Sequence, residues 1–171
     1  MRVLGIDLIG NDANVVLLEY TNGMFFFPDC RARKITCHNP DKASELKYFQ
    51  KSVAKLVEDY GVEEIIIKDR MKKGRFAGGA NGFKLEAAIQ LMTACEVHIM
   101  QTVTMNAVLK KYPILFSFAE TGLKKFQENA FNVAYAYLSD PNGKVEENRL
   151  KTIQHRKRQR EAEEFEYDDE D

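Results

Sequence analysis

Long apolar runs are missing from this 171-residue chain. The opening stretch MRVLGIDLIGNDANVV is cut by Asp7 and Asn11, too short and too polar for a secretory signal or a membrane span, and no later segment does better. A cytoplasmic protein that does not enter membranes is therefore expected. Cysteine is scarce: Cys30, Cys37 and Cys95 form no CxxC pair, and their odd number speaks against a disulfide scaffold or a cysteine zinc site. They are expected to be free thiols. Histidine is equally sparse, and His38, His98 and His155 have no second ligand at metal spacing. No Ser-His-Asp or Cys-His arrangement can be argued, and Gly78-Gly79 lacks the lysine and spacing of a P-loop, which sets nucleotide hydrolysis aside. No repeat appears at solenoid periods.

What is present suits one globular domain. The apolar share is 44%, enough for a single core at this length. The net charge of -1 conceals an uneven distribution. Basic clusters stand at Arg31-Ala32-Arg33-Lys34, from Lys68 to Arg75, and from Arg149 to Arg160, whereas acid dominates from Glu161 to Asp171. Blocks of like charge repel and bury little, so the domain is expected over residues 1–138, with residues 139–171 a charged and flexible tail.

Apolar, branched runs at Val3–Leu8, Val15–Tyr20 and Met24–Phe27 predict three strands. Asn22-Gly23 supplies the positive φ angles of a tight hairpin turn between the second and third. After Pro40-Asp41, Leu46, Phe49, Val53, Leu56 and Val57 recur at helical spacing up to Gly61. Ile65-Ile66-Ile67 then reads as a strand buried on both faces, hence central and parallel. A basic, glycine-containing loop, Lys72-Lys73-Gly74-Arg75-Phe76-Ala77-Gly78-Gly79, precedes a helix from about Asn81. A strand over Glu96–Met100, a helix over Thr104–Lys111 and a last helix over Thr121–Leu138 complete the order. An antiparallel meander continued by right-handed β-α-β crossovers predicts a five-stranded mixed sheet flanked by helices, as in the α/β ribonuclease H-like fold. A ferredoxin-like or other small α+β sheet is the competing architecture.

Val3-Leu4-Gly5-Ile6-Asp7, followed by a polar turn and a second strand, resembles the opening of RuvC-like Holliday junction resolvases and of the wider ribonuclease H-like superfamily. Ile65-Ile66-Ile67-Lys68-Asp69, the basic loop and Asn81-Gly82-Phe83-Lys84-Leu85-Glu86-Ala87 resemble their middle. Gly74-Arg75-Phe76-Ala77-Gly78-Gly79-Ala80 and Gly122-Leu123-Lys124-Lys125-Phe126-Gln127-Glu128 resemble a bacterial domain-of-unknown-function family of the same superfamily. The resemblance spans roughly residues 1–138. It implies carboxylates at the end of the first strand, at the end of the fourth and on the last helix that meet around metal. Asp7, Asp69 and Glu128 fill these stations and become the candidate catalytic residues. The resolvase pattern carries two aspartates on the last helix where this chain has Asn129 and Asn132.

Phosphodiester hydrolysis of this type needs hard anionic oxygens around Mg²⁺ or Mn²⁺. The expected ligands are Asp7, Asp69, Glu128 and, one helical turn on, Asn132. An amide adds an oxygen without charge, so one ion is expected rather than two. Arg70, Lys72, Lys73, Arg75 and Lys84 would border the site and suit phosphates, and Phe76 would stack on an unpaired base. Phe76 tucked into the core is the alternative. Two function classes follow: a Mg- or Mn-dependent nuclease or nucleic-acid-binding protein acting on DNA or RNA, or a catalytically inactive binding or scaffold module. A homodimer is a third option, although no clear interface is visible and Tyr112–Phe118 reads as buried.

Overall fold

The computed structural model describes residues 1–75 and 78–168, with side chains to residue 164. Its strands are β1 (Arg2–Ile9), β2 (Asp12–Thr21), β3 (Met24–Phe26), β4 (Lys34–Thr36), β5 (Glu64–Lys68) and β6 (Glu96–Met100). Its helices are α1 (Ala43–Tyr60), α2 (Ala80–Gln90), α3 (Thr102–Lys111), α4 (Glu128–Ser139) and α5 (Lys144–Asp168).

The sheet runs β3-β2-β1-β5-β6, antiparallel from β3 to β1 and parallel from β1 through β5 to β6. The predicted hairpin is formed, with Asn22 at φ 53° and Gly23 at φ 77°. Among the described residues the sheet has six strands rather than the expected five. β2 is long, and β3 pairs only with Glu19–Thr21, which leaves the edge at Asp12–Asn14 to β4. Three residues inside a basic cluster give too short a pattern to announce a strand.

Alternation along the strands divides the interior in two. Leu4, Ile6, Leu8, Ile65 and Ile67 meet α1 and α2 on one face, where Phe49, Val53, Leu56, Leu85 and Ile89 are buried. Val3, Val16, Leu18 and Ile66 meet α3 and α4 on the other, with Met105, Val108, Phe131 and Ala134. The Ile65-Ile66-Ile67 run is thus covered from both sides, as its unbroken apolarity requires. Ile114, Phe116 and Phe118 pack against the second core, while Leu115 is 88% exposed.

The closest joint between helix and sheet lies at Gly5. A Cβ there would stand 2.1 Å from the carbonyl oxygen of Ala130 and 2.8 Å from the Ala134 Cβ. Only glycine lets the α4 backbone settle onto β1, and only small residues on α4 permit it.

Two stretches differ from the sequence-based expectation. The last helix of the body starts at Glu128, preceded by single 3-10 turns at Phe118–Thr121 and Lys125–Gln127. Gly122 at φ 72° ends the first turn, and Ser117 with Glu120 caps its start, so local capping cuts what the apolar pattern joins. Within the charged end, Lys144–Asp168 form a helix. Asp140 accepts the backbone N–H groups of Lys144 (3.2 Å) and Val145 (2.9 Å), which caps α5. Thr104 of α3 donates to Glu146 at 2.9 Å, and Arg149 grips the same carboxylate through two nitrogens. Among the described residues, no helix is long and apolar enough to cross a membrane.

Substituting Gly5→Ala should drive α4 off β1 and cost about 3 kcal/mol, the upper range for overpacking a core. Ala134→Gly in the same chain should restore part of the loss, because it removes one of the two clashing partners. Chemical denaturation of the single and double variants checks both outcomes.

Candidate functional site

The C-terminal ends of parallel strands are where α/β sheets place their ligands, since the following helices begin there and leave a crevice. Here β1, β5 and β6 end side by side. A groove of about 680 Å³ opens beyond them, lined by Asp7, Lys68, Asp69, Arg70, Gly78, Gly79, Gln101 and Thr102 among others. Asp7 and Asp69, two of the three acids expected to converge, therefore face one space. Asp7 is only 6% exposed, and the β1–β5 register sets Lys68 next to it, one step past the pair Ile6 and Ile67.

The third acid does not join them. Glu128 is bound by the ammonium of Lys125 in the preceding turn. Its neighbour Asn129 is the α4 residue that reaches Asp7, its Nδ2 donating to Oδ2 at 3.3 Å. One residue is about 100° of helical rotation, so the two cannot serve one point together. Asn132 is half-buried one turn further on. Among the described residues, no group of three His, Cys, Asp or Glu side chains is arranged to hold a metal ion. The acidic cluster expected from the sequence is replaced by a carboxylate among amides.

One of those amides was invisible to pattern reasoning. Asn14 is paired across the ladder with Asp7 on the same face of the sheet and is 2% exposed, and among the described residues its Oδ1 has no hydrogen-bond partner. An orphaned carbonyl oxygen beside a carboxylate is an oxygen donor set that suits a hard divalent cation. With Asp69 across the groove, these oxygens are of the type that one Mg²⁺ or Mn²⁺ ion takes, without forming a metal-holding group among the described residues. They do not fit a charge-rich two-ion centre, since the α4 residue that meets Asp7 is the amide of Asn129 and not an acid.

The basic loop is held by a device spread over α2. The Arg70 guanidinium lies 5.6 Å from the centre of the Phe83 ring. Gly78 and Gly82 make room for it, because a Cβ at either would come within 2.6 Å or 2.5 Å of it. Nearby Glu86 is 7% exposed, and among the described residues neither its Oε2 nor the buried Nε of Arg70 has a partner. Burial and then the charge of Asp69 push the Glu86 carboxyl above the usual range, while Arg70 and Lys72 pull it back. Helical spacing marks Glu86 as an inward position between Leu85 and Ile89, the one signal that could have singled it out. Of the other expected phosphate contacts, Lys72 and Lys73 are exposed, Arg75 is exposed with a contact of its own, and Lys84 binds Asp41 on the α1 side. Phe76 lies outside the described residues.

The sequence profile of the family described as "Protein of unknown function (DUF3010)" matches residues 1–137. The chain belongs to the DUF3010 family. Among solved structures, Thermus thermophilus RuvC superposes with a TM-score of 0.64 at 11% identity, over 85% of this chain and 98% of that one. RuvC of the same organism in complex with its Holliday junction substrate gives 0.62 at 12% identity, over 83% and 96%. This DUF3010 chain thus has the RuvC type of ribonuclease H-like fold, as its strand order implied. No curated protein matches its sequence.

Two variants isolate the Arg70 device. Gly82→Ala should displace the flexible guanidinium while leaving the fold within about 1 kcal/mol of wild type, because alanine is the better helix former. Thermal melts and an Arg70-dependent anion titration should separate the two effects. For Glu86 the folded carboxyl binds its proton more tightly than the unfolded one, so stability should fall as pH rises through the window above 4.5. Glu86→Gln should remove that decline and gain about 1 kcal/mol at pH 7, measured by urea denaturation across pH.

Proposed function

We propose that this DUF3010 protein binds the phosphate backbone of nucleic acid across the groove between Asp7 and Asp69, with one Mg²⁺ or Mn²⁺ ion held there weakly. Lys68 and Arg70 supply the positive charge, and the glycines at 78 and 79 let a phosphate approach the backbone. The observation that carries the reading is the shared groove of two acids and two cations at the ends of β1 and β5. Its shape is supported by likeness to a protein solved with a Holliday junction, which carries the fold alone.

Asp7, Asp69 and the Asn14 carbonyl are the residues that would hold the ion. When bound, such an ion supplies Lewis acidity at a phosphoryl oxygen. The chain's own part is to orient a phosphate on Arg70, which Phe83, Gly78 and Gly82 hold in one place. That α4 turns Asn129 and not Glu128 toward Asp7 favours a binding module over an efficient nuclease. A Mg- or Mn-dependent nuclease is the second reading, favoured by the orphaned Oδ1 of Asn14, which adds a third hard oxygen.

Calorimetry should give one Mn²⁺ per chain with a Kd on the order of 1 mM, the weak end for carboxylate sites. Asp7→Ala with Asp69→Ala should abolish it. A low-salt titration with DNA and RNA should show binding that Lys68→Gln with Arg70→Gln weakens at least tenfold. Cleavage of branched or single-stranded substrates that vanishes in the aspartate double variant would establish the nuclease reading instead. Wild type that binds neither metal nor nucleic acid would contradict both.

A further inference from the structure

α5 is an unusual helix for a protein of this size. Its first turns are tied to the body by Asp140 and by the bond from Thr104 to Glu146, yet every described side chain from Leu150 to Glu164 is exposed, Leu150 and Ile153 at 47%. A helix with no apolar face gains nothing from packing on its own domain. It also lies beyond residues 1–137, the part the DUF3010 family shares. Its root is beside the groove, because Thr104 stands within one turn of the groove-lining Gln101 and Thr102.

Between Asn148 and Arg160 the helix carries Arg149, Lys151, Arg156, Lys157, Arg158 and Arg160 and no acid. Arg149, Lys151 and Lys157 are paired within the helix to Glu146, Glu147 and Glu161. Among the described residues, no partner is found for Arg156, Arg158 or Arg160. At about 100° per residue, Arg156 and Arg160 lie on one flank, and Lys151 and Arg158 lie on the opposite one. Cations on both flanks do not suit a flat anionic surface, which a helix meets along one side. They suit a trough with two anionic walls. The major groove of B-form DNA is about 12 Å wide, the diameter of a helix with its side chains, and is walled by phosphates.

We infer that α5 is a DNA-binding arm whose basic segment lies in the major groove of a duplex and contacts phosphates on both walls. This extends the nucleic-acid reading of the groove and identifies the substrate class as duplex DNA. The A-form major groove of RNA is too narrow to admit it. Residues 149–160 span about 18 Å, or about five base pairs at 3.4 Å each. Glu161, Glu163 and Glu164 end the contact by repulsion.

The test is fluorescence anisotropy with the full chain, a 24-base-pair DNA duplex and an RNA duplex of the same sequence, across 50–200 mM salt. The variant is Arg156→Gln, Arg158→Gln and Arg160→Gln together. Glutamine and arginine have nearly equal helix propensity, so circular dichroism should be unchanged. Affinity for the DNA duplex should fall at least tenfold, and the slope of log K against log salt should become shallower by about 2.7, at 0.9 per lost phosphate contact. RNA duplex binding should be weaker and insensitive to the variant.

Unchanged DNA affinity and slope would overturn the inference, as would an equal loss on RNA. So would a variant that changes only self-association in sedimentation, or only binding to vesicles of phosphatidylserine. Lys68→Gln with Arg70→Gln separates the two proposals. Loss in that variant alone leaves the groove reading standing without the arm, and loss in the triple variant alone leaves the arm without the groove. Wild type that binds no nucleic acid overturns both.

Discussion

The close approach of α4 to β1 over Gly5 decides which side chains can meet in this fold. With the Ala130 carbonyl and the Ala134 methyl seated where a β-carbon would be, α4 has neither lateral nor rotational freedom at its first turns. Its rotation is therefore fixed, and so is the residue it presents to the end of β1. That residue is Asn129. Glu128, 100° away around the helix, falls to Lys125 instead. A packing constraint between two glycine- and alanine-bearing surfaces thus sets the charge of the groove.

From this the electrostatic character of the site follows. Asp7 is buried, with Asn129 donating to it, Asn14 across the ladder and Lys68 lining the same groove. A carboxylate so placed has less need of a metal ion than one crowded by other acids. On the far side of the groove, Arg70 is held over Phe83 in a cradle of glycines, with the buried Glu86 below. The glycine-rich basic loop is thus partly a packing device, since Gly78 and Gly82 exist to admit one guanidinium. Phosphate affinity and structural order are joined in that single side chain.

Much of this was legible in the sequence. The Asn-Gly turn, the unbroken Ile65-Ile66-Ile67 strand and the β-α-β order are local signals, and the structure realises each of them. Asp7 and Asp69 could be placed together through the resemblance to RuvC-like resolvases, and they line one groove. What was not legible depends on contacts between distant segments. β4 exists because β3 leaves part of β2 uncovered, and Asn14 matters only through its cross-strand partner. The choice between Glu128 and Asn129 needs the rotation of α4, which the 3-10 turns before it reset. The helicity of α5 was hidden because its charge pattern reads as solvated chain, whereas Asp140 supplies a cap and lysine, arginine and glutamate are good helix formers.

Restoring an acid at the α4 position that faces Asp7 tests this account most directly. Asn129→Asp places two carboxylates where one amide hydrogen bond now stands at 3.3 Å, so the variant should melt at lower temperature without metal and recover on addition of Mn²⁺, with at least tenfold tighter binding than wild type. Glu128→Gln should leave the response to Mn²⁺ unchanged. An Asn129→Asp variant indifferent to Mn²⁺, together with a Glu128→Gln variant that loses the wild-type response, would contradict the placement of α4 and the site built on it.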